Sequence, residues 1–261
     1  MPDSARTTNG VTTHALKDLP WVETNKPGVR LASVRMDRED GLFLGFVAMD
    51  QFAETGLHHH LGPASSYVLQ GALTDYQGPI VAGECGINLK GATHNAIAYE
   101  DTLLVARLDA PVIYADESEA AGTPIHTGGF QGEIVNHTPE VMPEIHVDVE
   151  AMPWLPTAVA GVVRRNLWNY DQTGMDRRMR QIQILPGTSL PALRMGGLTD
   201  IFLMSGDLSA AGQTVGNGGF MVLEEGAEVS FTSRYGALAI VWAEAPSQWV
   251  DDQAKPELWG F

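Results

Sequence analysis

Tyr67-Val68-Leu69-Gln70-Gly71-Ala72-Leu73 returns later in the chain as Phe202-Leu203-Met204-Ser205-Gly206-Asp207-Leu208, at an offset of 135 residues. Each copy is an apolar, β-rich run followed by one glycine. Upstream, Leu19-Pro20-Trp21 recurs as Met152-Pro153-Trp154, and Gly28-Val29-Arg30 as Gly161-Val162-Val163, both at an offset of 133. A two-residue drift across that span is what one short loop insertion produces. The chain therefore reads as a duplicated domain.

The flanking segments say which kind. Leu42–Met49, Ser66–Leu69 and Thr102–Leu108 in the first half, and Arg180–Leu185, Ile201–Met204 and Ala237–Trp242 in the second, are short β-rich runs. Gly and Pro punctuate them at spacings typical of a sandwich or barrel. Helical periodicity is scarce, with one helical turn invited at Gly174–Met179. The expectation is an all-β protein of two small barrels in tandem. Residues 1–14 are expected to form an N-terminal tail, 15–115 the first barrel, 116–147 a surface connector rich in Glu, Gly, Pro and Thr, and 148–261 the second barrel.

Composition narrows the function classes. Of 261 residues, 32 are acidic and 16 basic, a formal net charge of −16. Such a surface repels phosphate backbones and anionic lipid heads, which argues against nucleic-acid and membrane partners. No apolar run is long enough for a membrane span, and Met1–Gly10 lacks the apolar core of an export signal. One cysteine, Cys85, excludes an intrachain disulfide and a thiolate metal cluster, so a cytoplasmic location is expected. Within a strand, Cys85 reads as a small buried hydrophobe rather than a nucleophile.

Chemistry enters with histidine. Four of the eight histidines fall in two places, Leu57-His58-His59-His60-Leu61 and Ala92-Thr93-His94. Strand side chains alternate between faces, so His58 and His60 point one way and His59 the other. Two imidazoles on one face, with His94 from a neighbouring strand, make a three-nitrogen set that suits Fe, Zn, Cu, Ni or Mn and leaves coordination positions open. By the same alternation Ser66 and Asn88 should share the metal-facing side, where they could orient a ligand ring or a bound oxygen species, and Tyr76 could reach the pocket mouth. His59 is expected to pack or be solvated. His14, His126, His137 and His146 fall in the tail or the connector and read as structural or exposed.

These residues carry a resemblance to the cupin superfamily, and with it a double-stranded β-helix, or jelly-roll, barrel. His58-x-His60 leads to Gly71 as in the first cupin motif, although Gly56 sits closer to His58 than the motif's leading glycine. Gly83, Leu89, Gly91 and His94 fit the second motif, Gly-x5-Pro-x-Gly-x2-His, with Leu89 in place of the proline. The glutamate ligand of the first motif is replaced by Ala64, followed by Ser65 and Ser66. The site thus resembles the cupins that hold metal on three histidines alone. It is most similar to the family around acetylacetone-cleaving and dihydroxyacetophenone dioxygenases, and is related to the metal cupin of a zinc-dependent anti-sigma factor.

The resemblance implies one divalent ion on His58, His60 and His94. Fe(II) comes first, with Zn, Ni or Mn as alternatives, and O2 would be the co-substrate of a dioxygenase acting on a small carbonyl compound. A three-imidazole set leaves the full 2+ charge on the ion, which favours an anionic bidentate ligand such as an enolate. In the second half the equivalent positions hold Leu193, Met195 and Val229, which cannot bind metal. That barrel is expected to be metal-free, a packing partner that makes the chain an intrachain pseudo-dimer, with a homodimer left open. Three functions follow: an Fe(II) dioxygenase breaking a C–C bond beside a carbonyl in a diketone or hydroxyketone, a Zn, Ni or Mn isomerase, lyase or hydrolase, and a non-catalytic sensor.

Overall fold

The computed structural model describes residues 6–37, 39–114, 144–169, 177–251 and 258. The regular elements of the described residues are all strands apart from one 3-10 turn at Leu16–Asp18, so the chain is all-β as expected. Two compact units divide it. One comprises Pro20–Glu150, the other Met1–Leu19 together with Ala151–Phe261. Most of the expected connector 116–147, and the first half of the helical turn expected at Gly174–Met179, lie outside the described residues. The end of the connector, Glu144–Asp148, is a strand, and Arg178 and Met179 open the strand Arg178–Ile184 rather than a helix. Among the described residues no helix is long and apolar enough to cross a membrane.

In the unit Pro20–Glu150 a seven-stranded antiparallel sheet runs in the order Glu144–Asp148, Glu84–Asn88, Ala64–Gln70, Thr102–Asp109, Leu42–Met49, Val29–Asp37, Trp21–Glu23. Two three-stranded sheets complete the unit. In one, His58–His60 lies between Thr93–His94 and Val112–Tyr114; in the other, Ala72–Asp75 lies between Ile97–Ala98 and Gly78–Val81. Apolar alternation on the large sheet builds a core of Val29, Phe43, Met49, Leu104 and Ala106, which Leu73 of the small sheet joins.

The second unit repeats this pattern down to its register. Val229 pairs with Leu193 as His94 pairs with His58. The Met195 amide donates to the Ala227 carbonyl as the His60 amide donates to Ala92. The glycine inside the repeated strand has the same cause in both units. Gly71 and Gly206 have φ of 78° and 86°, and a Cβ at either would collide with a facing carbonyl, that of Asp101 or Gly236.

The repeats also exchange a strand. Glu144–Asp148, which precedes the second repeat in sequence, pairs with Glu84–Asn88 in the first unit. Its counterpart before the first repeat, Val11–His14, pairs with Phe220–Leu223 in the second. The registers correspond: His14 faces Phe220 as Val147 faces Cys85. Residues read from sequence as a tail thus fill an inner position of a sheet, with Val11 fully buried.

Candidate metal centre

His58–His60 is the middle strand of its small sheet, so its pleat is held from both sides. His58 lies directly opposite His94 on one flank and Tyr114 on the other. Alternation then sends His58 and His60 inward, while His59 turns away and its Nδ1 meets Thr93 Oγ1 at 2.8 Å. The inward rings and His94 are buried, at 6%, 4% and 6% exposure. Their Nε2 atoms converge: His58 to His60 is 3.2 Å and His60 to His94 is 3.2 Å.

A metal ion fits this spacing. With M–N bonds of about 2.0–2.1 Å, adjacent ligand nitrogens lie about 3.0 Å apart at octahedral angles and about 3.4 Å apart at tetrahedral ones. The observed 3.2 Å falls between. Chemistry agrees with geometry. The His58 Nδ1–H donates to the Gly56 carbonyl at 2.8 Å, which leaves the Nε2 lone pair facing its neighbours. Three such nitrogens cannot satisfy one another, since one N–H serves one acceptor at a time, whereas a single cation satisfies all three. The rings are also held ready: burial, then the charge of His94, lowers the His58 pKa to about 3. The same causes put His60 well below the ordinary imidazole value. Both are therefore neutral ligands at physiological pH.

Behind His94 lies a group of side chains that the sequence does not announce. Asp75 Oδ2 is 3.5 Å from His94 Nδ1 and 3.2 Å from His146 Nε2, and Glu144 Oε1 is 3.9 Å from the same Nδ1. The carboxylates are nearly inaccessible, with side chains 3% and 6% exposed. Burial alone would raise the Asp75 pKa, but the hydrogen bond from His146 and the nearby His94 ring outweigh it and hold the group below the usual carboxylate range. Glu144 goes the other way, raised by burial and further by Asp75 against the pull of His94. His146 is raised by its hydrogen bond to Asp75. Read from sequence as a connector residue, His146 instead stands on the exchanged strand Glu144–Asp148.

The remaining expected residues take their places on this frame. Across the large sheet, Glu144, Asn88, Ala64 and Leu108 form one register row, and His146, Gly86, Ser66, Ala106, Gly45 and Ser33 the next. Ser66 and Asn88 thus share the face that carries Glu144 and His146. Tyr76 lies in the turn after Asp75, 36% exposed, and its hydroxyl pKa is raised by partial burial and by Glu144. Cys85 points to the opposite face, fully buried, and burial raises its thiol pKa, so it packs rather than reacts. His126 and His137 lie outside the described residues, and His14 is buried in the second unit.

The inner faces of the two units differ in burial. Leu31, Val47, Ser66, Asn88 and Leu108 are all only half-buried. Their counterparts Arg164, Ile182, Ile201, Leu223 and Ala243 are all buried. The inner wall of the first barrel is thus partly exposed, whereas that of the second is buried around an apolar cavity of about 20 Å³ that Ile182 and Ile201 help to line. Leu193, Met195 and Val229 replace the histidines there as members of one apolar core with Ile182, Ile201 and Met221.

Residues 9–112 match the ChrR cupin-like domain family. A search of curated proteins found no match. Among solved structures, the chain is similar to one from Nostoc punctiforme described as "a putative dioxygenase". The TM-score is 0.69 and the identity 10%, over 95% of this chain and 86% of that one. It is similar to a point mutant of Bacillus subtilis oxalate decarboxylase, with TM-score 0.61 and 11% identity over 98% and 81% of the two chains. It is also similar to the "putative glyoxylate induced protein" of Pseudomonas aeruginosa, with TM-score 0.67 and 10% identity over 93% and 92%. At these identities the likeness is one of fold, and the fold is a tandem cupin with a three-histidine group able to hold a divalent metal in its first barrel.

Proposed function

We propose that this tandem cupin is a metal-dependent enzyme, a non-haem Fe(II) dioxygenase that cleaves a C–C bond beside the carbonyl of a small diketone or hydroxyketone. The observation that carries this reading is the convergence of three buried imidazoles with no carboxylate among them. A bound divalent ion would supply Lewis-acid polarisation of a carbonyl and, as Fe(II), the redox chemistry with O2.

The chain's own residues set the rest. A ligand set without charge prefers an anionic partner, which suits the enolate of a β-dicarbonyl. Leu31, Val47 and Leu108 offer apolar wall to an alkyl or aryl group. Ser66 and Asn88, on the face that carries Glu144 and His146, offer a hydroxyl and an amide to orient a bound oxygen atom. Tyr76, in its exposed turn, would stand at the pocket mouth.

The test is anaerobic reconstitution with Fe(II), then addition of O2 with a panel of β-diketones and hydroxyacetophenones while oxygen uptake is followed. Uptake that needs iron and disappears in His94→Ala is the expected result. No uptake with any of the panel would defeat the dioxygenase assignment. The likeness to oxalate decarboxylase favours a second reading, a lyase or related enzyme using Mn, Zn or Ni on the same histidines. Turnover of a carboxylate substrate with one of those ions, in the absence of oxygen uptake, would select it.

A further inference from the structure

We infer that Asp75 is the positioning residue of the metal centre. Backed by His146 and Glu144, it accepts the Nδ1–H of His94 and returns to the site the negative charge that the ligand set lacks. The inference rests on the proposed metal site and goes beyond it by assigning roles to three residues outside the ligand set.

Geometry carries the first part. A ring that gives Nε2 to a metal keeps its proton on Nδ1, and the partner of that proton fixes the ring's rotation and its strength as a donor. For His58 the partner is a backbone carbonyl. For His94 the facing acceptors are two buried carboxylates, Asp75 at 3.5 Å and Glu144 at 3.9 Å. His94 Nδ1 has no hydrogen bond as it stands, in a side chain that is 8% exposed. Asp75 is in turn held from two directions. Its Oδ2 meets His146 Nε2, and its Oδ1 accepts the Gln77 amide at 2.9 Å. Two carboxylates would not be drawn into so enclosed a place without cationic partners.

The second unit supplies an independent comparison. The counterparts of His94, Asp75 and Glu144 are Val229, Ala210 and Val11, and all three belong to one apolar core cluster. His146 is matched by Thr13. Where the imidazole is missing, both carboxylates are missing too. A general structural role for Asp75 and Glu144 would have no reason to vanish with the ligand.

The same comparison moves the charge balance. Ala64 removes the carboxylate that would touch the ion, yet Asp75 and Glu144 stand one imidazole away. Compensation delivered through His94 leaves open a coordination position that a direct carboxylate ligand would fill.

The test uses the full chain with Co(II), whose visible spectrum reports ligand field, and Zn(II), read by direct titration and by long-range 15N spectra of His94. Wild type is expected to bind one ion per chain, with His94 protonated at Nδ1. Asp75→Asn, which keeps shape and loses charge, should bind about 10–100-fold more weakly, shift the Co(II) bands and move the His94 Nδ1 resonance. Glu144→Gln should weaken binding less, and Asp75→Glu should restore part of the loss. Unchanged affinity and spectra in a folded Asp75→Asn protein would overturn the inference while leaving the metal site intact. So would two ions per chain with the second lost in Asp75→Asn, which would make Asp75 a ligand of its own cation. A wild type that binds neither ion would remove the metal site and this inference together.

Discussion

Val229 faces Leu193 in the second unit in the register that His94 holds against His58 in the first. One backbone arrangement is therefore filled in two ways, by apolar packing and by converging imidazoles. Stability and function should separate along that line. Leu193→Ala opens a cavity in a fully buried core and should cost about 2–5 kcal/mol. His58→Leu removes a desolvated imidazole and should stabilise the metal-free protein by on the order of 1 kcal/mol while weakening metal binding. Urea unfolding in the presence of chelator, beside a Zn titration, checks both.

Stoichiometry follows from the same asymmetry. Among the described residues only the first unit has the three histidines, so wild type should hold one tightly bound divalent ion per chain. His94→Ala should weaken that binding by about two orders of magnitude, because a two-nitrogen remnant neither encloses the ion nor matches its geometry. Metal analysis after dialysis against a weak chelator reads this directly. Two retained ions in wild type would contradict it.

How much of this was legible in the sequence depends on how far apart the cooperating residues lie. Alternation alone put His58 and His60 on one face, a local pattern that a strand's period of two translates into geometry. The third ring, His94, came from the resemblance of Gly83–His94 to the second cupin motif. The exchange of strands is not local. Asp75 and Glu144 come together only because Glu144–Asp148 pairs with Glu84–Asn88 after a long intervening segment. Nothing in Glu144-Ile145-His146-Val147-Asp148 says which sheet edge it will join. Read alone, the strand offers two acidic residues and a histidine that look like surface. The repeat held the missing clue: aligning Leu19-Pro20-Trp21 with Met152-Pro153-Trp154 also aligns Val11–His14 with Glu144–Val147, so a role for one segment implies a role for the other.

The exchanged N-terminal strand should be indispensable to the second unit. Val11 is fully buried in that unit's core, its carbonyl accepts from Gln213 Nε2 at 2.8 Å, and Thr13 Oγ1 donates to Gln213 Oε1 at 2.8 Å. Val11→Asp places an unpaired charge in the apolar cluster and should destabilise by about 3–5 kcal/mol, against less than about 1 kcal/mol for a substitution in a solvated tail. A melting curve for Val11→Asp that overlays the wild type would show that the strand is dispensable.

Acid should unfold the metal-free protein through its ligands. The His58 pKa lies at about 3 in the folded chain, and His60 lies well below its ordinary value, chiefly because burial penalises the charged ring. In the unfolded chain both titrate near 6.5. Between those limits the unfolded state binds more protons, so stability rises with pH there and falls as pH drops below about 6.5. Each group contributes a slope of up to about 1.4 kcal/mol per pH unit. Asp75, held low, acts with the same sign at lower pH, because its stabilisation is lost only as its carboxylate protonates. Glu144, held high, acts with the opposite sign, favouring the folded state at low pH. Chelator-treated protein unfolded in urea at pH 7 and pH 5 should lose stability on acidification, and His58→Leu should lose about 1 kcal/mol less per pH unit. Equal pH slopes for the two proteins would mean that the His58 ring is not the desolvated, neutral group that this geometry requires.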